Sequence, residues 1–226
     1  MEKHFESELS GLRNLLIDMA TRAEEAVHEA IKGFLFRDIE ASRLVIENDS
    51  KINDAEMTID REIFRIEALA KPVAGDLRFL FAAEKINKDI ERIGDHAVNI
   101  AQATIKVAGH DPFGTVPYPS ILETMATITR RMLSDTVSCF VDGDSQQALK
   151  VLEDDDQVDE LNDRMEETVA RMIRENVETV EVGLVLTYVS RNLERIADLS
   201  TNIAEDVIFQ AKATDVKHHH FEGLDG

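Results

Sequence analysis

The stretch Ile90-Glu91-Arg92-Ile93-Gly94-Asp95-His96-Ala97-Val98-Asn99-Ile100-Ala101 has a second copy later in the chain, Leu193-Glu194-Arg195-Ile196-Ala197-Asp198-Leu199-Ser200-Thr201-Asn202-Ile203-Ala204. Glu, Arg, Ile, Asp, Asn, Ile and Ala recur in register about a hundred residues apart, and a fixed-offset echo of this length marks an internal duplication. Around each copy, apolar residues fall at three- and four-residue steps, the signature of amphipathic helix. Three of the 4 prolines (Pro112, Pro117, Pro119) crowd into one segment and the fourth is Pro72, so long helices run uninterrupted elsewhere.

Working outward, the periodicity predicts an all-α chain of two tandem antiparallel three-helix bundles related by duplication. Helix one covers roughly 4–36, with Leu12, Leu16, Met19, Ala23, Val27 and Ile31 inward. Helix two is capped by Asp38 and runs to about Ala70 on a stripe of Val45, Ile52, Ile59, Ile63 and Ile66. Lys71-Pro72 stops it, and Asp76 is expected to cap helix three, which runs to about Ala108. Residues 1–109 are the first repeat, 110–119 a linker, 120–214 the second repeat and 215–226 a flexible tail. Ser120 with Glu123 three residues on reads as a capping box for helix four. Asp142-Gly143-Asp144 is a turn, helix five ends near Asn176, and helix six runs from about Thr179 to Lys212. Helices of ~30 residues are ~45 Å long, and short connections make neighbours antiparallel.

Residues four apart share one helix face, so Glu91 with Asp95, and Glu194 with Asp198, are stacked carboxylates. They point away from the apolar stripes onto an outer surface. The second helix of each repeat adds another set. Aligning Glu47 with Glu153 sets Asp49 opposite Asp155 and Asn53 opposite Asp159, all beside their stripes and within reach of the neighbouring helix. Each repeat is therefore expected to bring oxygen pairs from two helices to one surface. The same residues also fit an ordinary charged face, because Lys88–Glu91, Arg92–Asp95, Arg191–Glu194 and Arg195–Asp198 are opposite charges three residues apart. The duplication favours the first reading, since acids, spacing and the following Asn all recur. Oxygen-only clusters suit Mg²⁺, Mn²⁺, Ca²⁺ or Fe³⁺, and Zn²⁺ also accepts carboxylates.

The formal net charge of −20 disfavours binding to nucleic acid or anionic lipid and favours cations or basic surfaces. Cys139 is the single cysteine, which fits a reducing cytoplasm and a small core residue rather than a nucleophile. The N-terminus carries no signal-peptide pattern, and the apolar stretch at 182–189 is too short to span a bilayer. His96 is left out of the site because neighbours in a helix do not share a face. Arg78 reads as a structural cation, and His218-His219-His220 as a frayed end.

The paired Glu-Arg-Ile-(Gly/Ala)-Asp segments on the third helix of each bundle resemble the PhoU family. So do Val45-Ile46-Glu47-Asn48-Asp49 and Pro72-Val73-Ala74-Gly75-Asp76-Leu77-Arg78, and the resemblance spans roughly 5–213. It implies a cytoplasmic, non-enzymatic accessory protein of high-affinity phosphate transport. Such a protein damps uptake and phosphate-regulon signalling by linking the transporter's ATPase subunit (PstB-like) to a sensor histidine kinase (PhoR-like). The resemblance further implies a homodimer that meets membranes only peripherally, through partners. It also implies multinuclear clusters of iron, zinc or another metal on Glu91, Asp95, Glu194 and Asp198, with Asp49, Asn53, Asp155 and Asp159 alongside. Ala197 stands where the family has Gly. Two other classes compete. A ferritin-like di-metal oxidase needs paired Glu-x-x-His segments in the core, and this chain has one, Glu25-x-x-His28. A purely structural helical scaffold would leave the acids solvated.

Overall fold

A computed structural model describes residues 2–70, 72, 74–108 and 118–213. Seven long helices account for nearly all of them: α1 (Glu2–Phe36), α2 (Ile39–Asn48), α3 (Ser50–Ala70), α4 (Ala74–Val107), α5 (Ser120–Asp142), α6 (Ser145–Glu175) and α7 (Val180–Lys212). A 3-10 turn, Val177–Thr179, leads into α7. The chain is all-α and duplicated, as the periodicity predicts. Most of the linker and the tail with its histidines lie outside the described residues.

Side chains set several of the helix ends. Asp38 accepts from the Ala41 amide at 3.0 Å and starts α2. Asp144 accepts from the amides of Gln146 and Gln147 and starts α6 directly after Gly143, whose φ of +67° ends α5 in the left-handed region. Three expectations need correction. The second helix is interrupted at Asp49, although that residue keeps helical φ and ψ of −56° and −37°. Helix α4 begins at Ala74, so Asp76 lies inside its first turn, where the helix dipole favours an acid without any cap. Ser120 is the first residue of α5 rather than its cap. Pro119, at φ −60° and ψ 135°, supplies the extended backbone that the cap position requires, and no side chain bonds there.

The expected apolar stripes are buried: Leu12, Leu16, Met19, Ala23, Val27 and Ile31 on α1, Ile52, Ile59, Ile63 and Ile66 on α3, and Leu193, Ile196, Ser200 and Ile203 on α7. Within each repeat the helices pack on one another, and the repeats join along two seams, α4 on α7 and α1 on α5. Helices α2/α3, α4, α7 and α6 therefore stand side by side as one layer, with α1 and α5 behind. His96 meets Asn192 while Lys85, earlier on α4, meets Asp206, later on α7, so α4 and α7 run antiparallel. The core is continuous across the seams: Ala23 of α1, Ile90 of α4, Phe140 of α5 and Ile203 of α7 line one small void. Arg13 of α1 reinforces the junction by donating to the Phe140 carbonyl at 3.0 Å, with its guanidinium 5.1 Å from the centre of the Phe79 ring.

Candidate metal centres on the four-helix layer

The α3–α4 groove carries the first site and the α6–α7 groove the second. Glu91 is half-buried on α4 and Asp95 is exposed one turn on. Facing them, Asp49 and Asn53 are half-buried at the α2–α3 junction, and the Asn53 amide donates to Asp49 Oδ2 at 2.9 Å. Asp49 Oδ1 and Asn53 Oδ1 are buried atoms with no hydrogen-bond partner. Burial raises the Asp49 carboxyl above its ordinary range, and the Asp95 charge adds to this. Burial also raises Glu91, with further pushes from Asp95, Glu56 and Asp49. Four carboxylates from two helices thus feel one another across the groove.

The second site repeats the arrangement. Glu194 and Asp198 are half-buried on α7. Burial raises Glu194, helped by Asp198 and Asp159; burial raises Asp159, helped by Asp198, Asp156 and Asp163. Asp198 is likewise raised by burial, against the pull of Arg195 and His96. Asp155 lies half-buried one turn before Asp159, at the edge of the group. The acids therefore face outward as expected, but into helix–helix grooves rather than onto a fully solvated face.

Three of the four expected ion pairs are not made. Lys88 turns back to Glu84 at 2.7 Å, Arg92 leans on Asp89 at 3.7 Å, and Arg191 crosses to Glu166 at 2.9 Å. Only Arg195 keeps its acid, Asp198, at 3.8 Å. Among the described residues Glu91, Asp95 and Glu194 have no ion pair, which weakens the reading as a routine charged face.

Two further residues facing these acids had no signal in the motif spacing. Glu56 joins the first site, one turn after Asn53, and its counterpart in the second is Asn162, one turn after Asp159. Asn162, nearly buried, donates to Glu194 Oε2 at 3.4 Å and accepts from the buried Ser190 hydroxyl at 2.9 Å. The inequality suggested by Asn53 opposite Asp159 is thereby cancelled, because amide and acid exchange places between the two positions. Carrying the Asp49/Asp155 alignment one more turn reveals this swap. His96 occupies neither groove; it sits on the α4–α7 seam, Nδ1 2.9 Å from Asn192 Oδ1. Glu25 and His28 line a groove between α1 and α5, and Glu25 also borders the cavity that Asp49 and Gly94 line. Cys139 is buried, and burial pushes its thiol up to about 11.

The donor set is all oxygen, it includes two buried oxygens without partners at the first site, and like charges crowd it, so the residues fit a hard cation. As placed, no three carboxylates among the described residues converge on a single ion, and the donors form an open plate across two helices.

A duplicated all-α molecule with an acidic plate in each repeat defines a narrow class. A family model, the PhoU domain, matches the chain twice, over 16–104 and 122–207. The chain belongs to the PhoU family. It is 36% identical over 215 residues to a phosphate-specific transport system accessory protein PhoU homolog of Aquifex aeolicus, covering 95% of this chain and 96% of that one. The corresponding accessory protein PhoU of Serratia marcescens is 31% identical, with 98% and 90% covered. The crystal structure of PhoU from Pseudomonas aeruginosa superposes with a TM-score of 0.87 at 30% identity, covering 93% of this chain and all of that one. The phosphate transport system regulatory protein PhoU of Streptococcus pneumoniae gives 0.86 at 25% identity, with 94% and 99% covered.

Proposed function

We propose that this chain is an accessory protein of phosphate transport whose two acidic plates bind metal ions, and that the loaded plates help it engage the transporter's ATPase subunit and a sensor histidine kinase. The relatives' names support the transport role. The observation that carries the metal reading is the meeting of carboxylates from two helices in both repeats while three of the four neighbouring cations turn elsewhere. Asp49, Asn53, Glu56, Glu91 and Asp95 would hold the first group of ions, and Asp155, Asp159, Asn162, Glu194 and Asp198 the second. Iron or zinc is the first expectation, with Mg²⁺, Mn²⁺ or Ca²⁺ as alternatives. Bound cations neutralise the plates and lift the repulsion that a chain of net charge −20 presents to anionic partners. Among the described residues no helix is long and apolar enough to cross a membrane, which fits attachment through a partner.

Metal analysis of the purified chain tests this reading. Wild type should retain or take up metal stoichiometrically, and Glu91→Ala/Asp95→Ala and Glu194→Ala/Asp198→Ala should each lose about half of it. Chelation should weaken ATPase-subunit binding about tenfold or more, or ~1.4 kcal/mol. Absence of stoichiometric iron, zinc, manganese, magnesium or calcium, or full metal retention in both variants, overturns the metal reading.

A further inference from the structure

On α4 the residues Phe81, Lys88 and Arg92 are exposed and fall at helical steps on one stripe. Lys85 and Asn99 belong to the same stripe and touch α7, so the stripe borders the α4–α7 seam. The offset that relates the two Glu-Arg-Ile-x-Asp copies carries these residues to Leu184, Arg191 and Arg195, exposed on α7. Because the helices are antiparallel, with Lys85 at Asp206 and His96 at Asn192, Arg92 and Arg195 stand level with each other across the seam. An approximate two-fold axis passes between them and exchanges the repeats. Phe81, 50% exposed, lies toward one end and Leu184, 64% exposed, toward the other. Each is eleven residues from its arginine, which puts it ~16 Å from the axis.

This ridge is chemically paired: apolar at both ends, cationic in the middle, with an acidic plate on either flank. Lys88, Arg92, Arg191 and Arg195 keep 55%, 59%, 62% and 63% of their side chains exposed. Lys88 and Arg191 pair with the largely exposed Glu84 and Glu166, and Arg92 and Arg195 make only long contacts of 3.7 and 3.8 Å, so the four cations can be redirected to a partner at little cost. We propose that the ridge docks a two-fold symmetric protein dimer, one chain per dimer, with the partner's dyad laid on the pseudo-dyad between Arg92 and Arg195. The complementary partner presents acidic side chains along its dyad and one apolar notch per subunit for Phe81 and for Leu184. A second copy of this chain does not fit, because ridge on ridge sets four cations against four. A flat anionic bilayer does not fit either, because it offers no two-fold axis to match the one that relates Phe81 to Leu184.

The choice of probe rests on the transport reading above. This full chain, saturated with Zn²⁺ or Mn²⁺, is mixed with the phosphate transporter's purified ATPase subunit in its nucleotide-bound dimeric form, and stoichiometry is read by light scattering and native mass spectrometry. One chain per dimer is expected. Phe81→Ser and Leu184→Ser should each weaken binding about tenfold at unchanged melting temperature, because both side chains are exposed, and Arg92→Glu/Arg195→Glu should weaken it about a hundredfold. Phe36→Ser, 77% exposed at the α1–α2 turn, should bind as wild type. Two chains per dimer, or undiminished binding by Arg92→Glu/Arg195→Glu, overturns the docking inference and leaves the transport reading standing. Failure of the wild-type chain to bind the ATPase at all overturns both.

Discussion

Gly94 and Ala197 occupy the same place in the two motifs, and their packing explains the difference. A Cβ on Gly94 would lie 3.0 Å from Ile52 Cδ1 and 3.4 Å from its Cγ2. In the second repeat the residue aligned with Ile52 is Val158, which has no Cδ1, and both it and Ala197 are fully buried. The pairs Gly94/Ile52 and Ala197/Val158 fill similar space by opposite choices. Gly94→Ala should therefore stabilise by about 1 kcal/mol in an Ile52→Val background, where helix propensity acts unopposed. In wild type, overpacking should cancel that gain, leaving a coupling of about 1 kcal/mol or more in a double-mutant cycle read by urea denaturation. Independent, additive effects would show that the two residues do not compensate each other. The positions of Glu91, Asp95, Glu194 and Asp198 were legible from spacing alone. The directions of Lys88 and Arg191 were not, because Lys88 has acids one turn away on both sides and Arg191 has Glu194 on its own helix and Glu166 on the next, and only the packed structure selects Glu84 and Glu166.

For the helices, the stop signals were more legible than the start signals. Gly143 and Asp144 combine a left-handed residue with a side-chain cap, each with one structural outcome. Ser120 with Glu123 looked equally strong on paper, yet Pro119 already supplies the cap backbone and Ser120 becomes helical. The two readings predict different stabilities. Asp144→Ala should lower stability by about 1 kcal/mol, the usual effect of losing an N-cap. Ser120→Ala should change it by no more than a few tenths, as for an exposed residue without a cap bond. Thermal melts of both variants check this, and a loss at Ser120 as large as at Asp144 would restore the capping box. The interruption at Asp49 had no sequence signal of the Pro or Gly kind. It falls where a half-buried carboxylate binds Asn53 and faces Asp95, a tertiary circumstance.

Across the whole molecule, charge and packing oppose each other. Asp49, Glu91, Asp159, Glu194 and Asp198 are all raised, first by burial and, in all but Asp198, also by one another. A carboxyl whose folded pKa lies above its unfolded value binds protons more readily when folded, so its contribution is present at low pH and lost as pH rises through the folded pKa. The metal-free chain should therefore gain stability as pH falls from 7 toward 5. The groups are substantially solvated, so screening holds the combined effect to the order of 1 kcal/mol. A saturating divalent cation should reverse the trend, because it binds the deprotonated carboxylates and only in the folded state. Melting curves at several pH values, with chelator and with Zn²⁺ or Mn²⁺, measure both slopes. A metal-free melting temperature that rises from pH 5 to 7 would contradict the sign.

The sequence by itself determined the helices, the duplication, the apolar stripes and the paired acids, because these follow from local periodicity and a repeated phrase. Tertiary structure alone decided that the repeats share one core and that α4 and α7 lie antiparallel across a pseudo-dyad. It also decided that acids of adjacent helices face one another while three of their four cationic neighbours turn away. Those outcomes depend on how whole helices dock, and docking is set by the sum of many buried contacts rather than by any motif a few residues long.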